Sequence, residues 1–127
     1  MKRNNCILII LAVVMCLSCA STAFGKTIRR VRYAVDPTKI LVIDSVDYRK
    51  DLTRVYGKLM GRKYAPIKII SISRATDIDG LDFNRWSQLE DNGRLPIEID
   101  FPPLSYKKGF NFVIHTASGN FTCKISK

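Results

Sequence analysis

Leu95-Pro96-Ile97-Glu98-Ile99-Asp100-Phe101-Pro102-Pro103-Leu104 decides the reading of this chain. Leu95, Ile97, Ile99 and Phe101 fall on one side of an extended segment, and Pro96, Glu98 and Asp100 on the other. Alternation with period 2 marks a strand with one face in a core and one in water. Pro102 and Pro103 stop it, because proline cannot donate to a ladder. Other segments offer apolar faces of similar width, so this strand has partners to pack with.

Upstream, Ile40 to Tyr48 begins apolar on both sides and ends alternating, which predicts a central strand. Arg49-Lys50-Asp51 is a polar connection, and Leu52 to Met60 resumes with β-favouring residues, so the two pair as a hairpin. Ile67 to Ser73 is the next strand. Its Ile69-Ile70 doublet predicts a bulge or burial on both faces. Asp77-Ile78-Asp79-Gly80 reads as a turn, and Arg85 to Glu90 as either one helical turn or a short strand. Asp91-Asn92-Gly93 turns the chain into the deciding strand. Phe110 to His115, a turn at Ser118-Gly119-Asn120, and Phe121 to Ile125 form a closing hairpin. Thr27 to Asp36 reads as the first strand. The count is seven or eight short strands, and the fold class expected is an all-β, antiparallel β-sandwich.

The N-terminus has a different character. Lys2 and Arg3 precede an apolar run from Cys6 to Leu17 and small residues from Ser18 to Gly25. That layout predicts a secretory signal peptide over residues 1–25 and a β-sandwich domain over 26–127. The apolar run is shorter than the ~20 residues a membrane-spanning helix needs. Ala23-Phe24-Gly25 predicts cleavage before Lys26. Leu17-Ser18-Cys19 offers an alternative, a loose lipobox with Cys19 as the lipid-bearing residue. Export to the periplasm or beyond is the first expectation, and a membrane-anchored lipoprotein the second.

The 127 residues carry 21 basic and 11 acidic side chains, a net charge of +10. Losing Lys2 and Arg3 leaves 19 basic residues against 11 acidic ones, a charge of +8. Cleavage before Lys26 leaves Cys123 as the sole cysteine, so the core must hold the fold without an intrachain disulfide.

On these residues the chain resembles the immunoglobulin-like β-sandwich of secreted and lipid-anchored proteins of Bacteroidetes-type bacteria. The resemblance is carried by Val46-Asp47-Tyr48, Asp51 to Val55, Ile67 to Ile72, Asp77 to Gly80 with Phe83, Ile99 to Leu104, and Phe110, Phe112 and Ile114. It covers roughly Ile40 to His115. It implies an immunoglobulin-like fold and supplies no catalytic residues.

Candidate sites are few. Asp77, Asp79 and Asp82 offer oxygen ligands for Ca²⁺, but Gly80 sits in the wrong register for an EF-hand, and a hairpin turn is the plainer reading. His115 has no partners at metal or triad spacing. Cys123 alternates with Phe121 and Ile125, as a buried thiol does. Glu98 and Asp100 share an outward face and suggest a small secreted hydrolase as one alternative. A structural envelope subunit adding a strand to a neighbour is another. No cofactor motif appears.

The favoured expectation is a non-catalytic binding module. Its candidate ligand-binding residues are Trp86, Arg49, Lys50, Lys107 and Lys108. Tyr33, Tyr48 and Tyr56 join Trp86 as candidates for a sugar platform. The partners expected are an anionic surface glycan, a lipid headgroup or another envelope protein. Nucleic acid is not expected, because aromatics do not interleave with the basic residues.

Overall fold

The structure is a computed structural model and describes residues 25–36 and 40–126. The predicted signal peptide and Cys19 lie outside the described residues. The described chain is all-β, and its sheets are antiparallel.

Eleven strands appear among the described residues, more than the seven or eight expected. They are β1 (Lys26–Ile28), β2 (Tyr33–Asp36), β3 (Leu41–Tyr48), β4 (Thr53–Met60), β5 (Pro66–Ile67) and β6 (Ile69–Ile72). There follow β7 (Asp77–Asp79), β8 (Ser87–Gln88), β9 (Arg94–Phe101), β10 (Phe110–Thr116) and β11 (Gly119–Ile125). One sheet has the order β1-β3-β4-β9-β7, a second β2-β11-β10-β6, and β5 and β8 form a separate ribbon.

The extra strands come from segments that split. Thr27 to Asp36 does not form one strand. It bends at Arg29-Arg30 and crosses from the edge of the first sheet to the edge of the second. Ile67 to Ser73 likewise divides between the ribbon and the second sheet. Asp77 to Asp79, expected as a turn, is an edge strand paired with β9. Short charged strands are common at sheet edges, where acidic side chains discourage further pairing.

The deciding strand keeps its predicted register. Ile97, Ile99 and Phe101 are buried, while Glu98 and Asp100 are partly exposed. The β3–β4 hairpin forms as expected, and β3 lies inside its sheet. The Ile69-Ile70 doublet resolves as a bulge. His115 pairs with Ser71 and Thr116 with Ile69, so Ile70 is the extra residue and turns outward.

Both large sheets close on one core. Leu41, Val46, Val55, Leu59 and Ile99 from the first pack with Ile69, Phe112, Ile114, Phe121 and Cys123 from the second. Phe101 bridges them, its ring centroid 5.5 Å from Phe110 and 4.9 Å from Phe112. Aromatic pairs at such spacing add to plain area burial.

The connections gather at two ends. The β3–β4, β6–β7 and β9–β10 connections meet at one. There the Thr53 hydroxyl accepts from the Leu104 N–H at 2.9 Å, and the Thr76 N–H donates to the Asp100 carbonyl at 2.7 Å. The β5–β8 ribbon occupies the opposite end. Leu89 N–H to Ala65 O at 2.9 Å continues its ladder, and Asn84 N–H to Ile69 O at 2.8 Å ties the segment before β8 to β6.

Candidate functional site

The ribbon end carries the exposed apolar side chains. Tyr64 is 56% exposed, Ile70 43% and Trp86 63%. They are the large hydrophobic side chains found exposed among the described residues. Trp86 stands just before Ser87, which pairs with Ile67. The Lys68 ammonium lies 5.8 Å from the indole centroid, within cation–π range. Tyr64 brackets the ribbon's other end, where its N–H donates to the Glu90 carbonyl at 3.3 Å. Between the two aromatics the ribbon presents Pro66 and Gln88 to solvent, while Ile67 is half-buried and Leu89 buried.

Local backbone geometry holds this surface. Tyr64 has φ +60° and Asn84 φ +63°. Left-handed backbone costs an L-residue roughly 1–2 kcal/mol, and a tyrosine gains nothing locally in return. Gly93, at φ +73°, lets the chain pass the Gly61 carbonyl, which a Cβ would strike.

The structure separates the predicted ligand-binding residues. Arg49, Lys50, Lys107 and Lys108 share the end opposite Trp86. Tyr48 is buried against Tyr106 and Phe110 and leaves the sugar platform. Tyr33 and Tyr56 are half-buried and lie away from Trp86, on β2 and β4. Tyr64, which alternation did not single out, is the other exposed aromatic of the ribbon end.

The carboxylates belong to a cross-strand ladder on the outer face of the first sheet. Arg54 grips Asp100 with two hydrogen bonds, of 2.7 and 3.0 Å, and reaches Glu98 at 4.0 Å. Asp47 accepts from Arg49 at 2.7 Å and from Thr27 at 3.0 Å. Burial pushes the Asp47 carboxyl up, but those two hydrogen bonds and the Arg49 charge outweigh it and leave its pKa below the ordinary value. The Asp100 hydrogen bonds raise the already high pKa of Arg54 further. A depression of about 330 Å³ on this face is lined by Asp44, Tyr56, Asp79 and Glu98. Lys58 answers Asp44 at 3.5 Å.

The three turn aspartates do not converge. Asp77 and Asp79 lie in β7 opposite Asp100 and Glu98, and Asp82 faces Arg85 at 3.7 Å. Among the described residues no group of three or more His, Cys, Asp or Glu is placed to hold a metal ion. His115 lies in β10 between Ser71 and Asn120. Cys123 is fully buried opposite Phe112, and burial pushes its thiol up to about 12. A thiol so raised is almost wholly protonated at neutral pH and is a poor nucleophile.

No protein-family model matches the chain, and neither does any curated protein or solved structure.

Proposed function

We propose that this chain is an exported, non-catalytic recognition module with an immunoglobulin-like sandwich fold. The ribbon end is its binding surface, and a glycan of the cell envelope is its ligand. Strand order supports the fold. In constant-type immunoglobulin domains one sheet runs A-B-E-D and the other C-F-G. Here β3-β4-β9-β7 follow the first order and β6-β10-β11 the second, with β1 and β2 added at one edge.

The observation that carries the function is Trp86, an indole 63% exposed beside the ribbon, with Tyr64 at the ribbon's other end. Solvent-open aromatic faces suit the apolar faces of sugar rings, and Gln88, Asn84 and Lys68 offer polar partners for the hydroxyls. Loops at the ends of a sandwich are where such domains bind. The non-catalytic part of the reading draws on the polar groups. Asp100 is engaged by Arg54, and the Cys123 thiol is buried and protonated.

Isothermal titration with peptidoglycan fragments and envelope polysaccharides tests this. The wild-type protein should bind one of them, and Trp86→Ala should weaken binding at least tenfold with an unchanged melting temperature. Binding that survives loss of both Trp86 and Tyr64, or turnover of the saccharide, would overturn the reading.

A further inference from the structure

The two ends of the sandwich differ in charge. Among the described residues, the β3–β4, β6–β7 and β9–β10 connections carry Arg49, Lys50, Arg74, Lys107 and Lys108 against Asp51, with Arg49 also paired to Asp47 of β3. At the ribbon end Arg62, Lys63, Lys68 and Arg85 are offset by Asp82, Glu90 and Asp91. Lys50, Arg74, Lys107 and Lys108 are all exposed. They occur 24 or more residues apart, apart from the Lys107-Lys108 pair, and only the strand topology gathers them.

Two more observations fall on the same end. A cleft of about 510 Å³ opens there, lined by Arg74, Asn111, Lys124 and Ser126. Two cations with neighbouring polar groups suit a phosphate-bearing headgroup. The described chain also enters the fold there. Lys26 pairs with Tyr48, the last residue of β3, and its ammonium lies 4.5 Å from the Tyr106 ring centroid.

We propose that this basic end docks on a membrane surface of anionic phospholipid. The proposal rests on the export reading of the apolar segment before Lys26 and is independent of the ligand taken by the ribbon end. If Cys19 bears a lipid, the seven residues to Lys26 span at most about 25 Å. The N-terminus then leads from the bilayer directly to the basic end. Attraction between basic side chains and an anionic leaflet decays within a Debye length, about 8 Å at physiological salt. At full stretch that tether is about three Debye lengths, so it leaves the charged loops free to reach that range without holding them in it. The ribbon end, on the far side of the core, then points away from the lipid.

Lysine footprinting tests this without presuming how the N-terminus is processed. The exported protein is mixed with phosphatidylglycerol vesicles or phosphatidylcholine vesicles and treated with a polar acylating reagent. Each lysine is then read by peptide mass spectrometry. Labelling of Lys50, Lys107 and Lys108 should fall at least threefold on phosphatidylglycerol and recover in high salt, with Lys63 unchanged. Lys107→Glu with Lys108→Glu should abolish the protection of Lys50. The matched pair Arg62→Glu and Lys63→Glu, which changes the net charge equally, should leave it intact. No protection on phosphatidylglycerol, equal protection on phosphatidylcholine, or equal protection of Lys63 would overturn the proposal.

Discussion

The ribbon end and the basic end are built on one core and are held in different ways. The basic end is closed by contacts to the main sheets. Thr53, fully buried, accepts the Leu104 N–H, and Thr76 is bonded to the Asp100 carbonyl. The ribbon end instead carries a small sheet of its own and three residues with left-handed backbone, Tyr64, Asn84 and Gly93, where the basic end has one, Arg74 at φ +68°. One end spreads charge over short turns fixed to the sheets. The other carries a local two-stranded scaffold with Tyr64 and Trp86 exposed beside it. Strained backbone persists only where surrounding structure over-determines it, and it concentrates where a surface has work to do. The two ends thus differ in how they are fixed, although both rest on one core.

The largest expected effect acts on what the ends share. Phe101 is fully buried and joins the two sheets through Phe110 and Phe112. Phe101→Ala should cost about 3–5 kcal/mol, a large part of a small domain's stability. Chemical denaturation should show one transition at lower denaturant. Two separate transitions would mean that the ends do not rest on a common core.

Two smaller substitutions sharpen the contrast. Gly93→Ala forces a side chain into left-handed backbone and against the Gly61 carbonyl. It should cost on the order of 1–3 kcal/mol. Hydrogen exchange should quicken at Leu89 and Tyr64, with Leu104 unaffected. Thr53→Val keeps the shape and removes the acceptor for Leu104. It should cost about 1–2 kcal/mol and quicken exchange at Leu104 while sparing the ribbon amides. Each substitution loosening the opposite end would erase the distinction.

The sequence was informative where a pattern had a single physical cause. Period-2 alternation over Leu95 to Phe101 placed Ile97, Ile99 and Phe101 in the core because only one face of that strand meets apolar partners. The Ile69-Ile70 doublet offered a bulge or burial on both faces, and the bulge is what forms, with Ile70 as the extra residue opposite His115 and Thr116. The segments that split were less legible. Alternation through Val31, Tyr33 and Val35 does not say which sheet each part joins, and Arg29-Arg30 gives no turn signal of its own. Asp77-Ile78-Asp79 has the composition of a turn, yet the free edge of β9 recruits it as a strand. Tyr64 carried no periodic signal, because its exposure depends on a left-handed backbone angle. Trp86 was singled out from its residue type, but its neighbours were not, and the basic loops came together only through the strand order.

Trp86 is the single tryptophan of the chain, so its fluorescence reports on the ribbon end alone. The most direct test is its emission in the folded protein bound to phosphatidylglycerol vesicles, before and after addition of an envelope saccharide. The account predicts red-shifted emission, ready quenching by aqueous acrylamide, no quenching by brominated lipid, and a spectral change when the saccharide binds. Blue-shifted emission quenched by brominated lipid, with no response to saccharide, would contradict it.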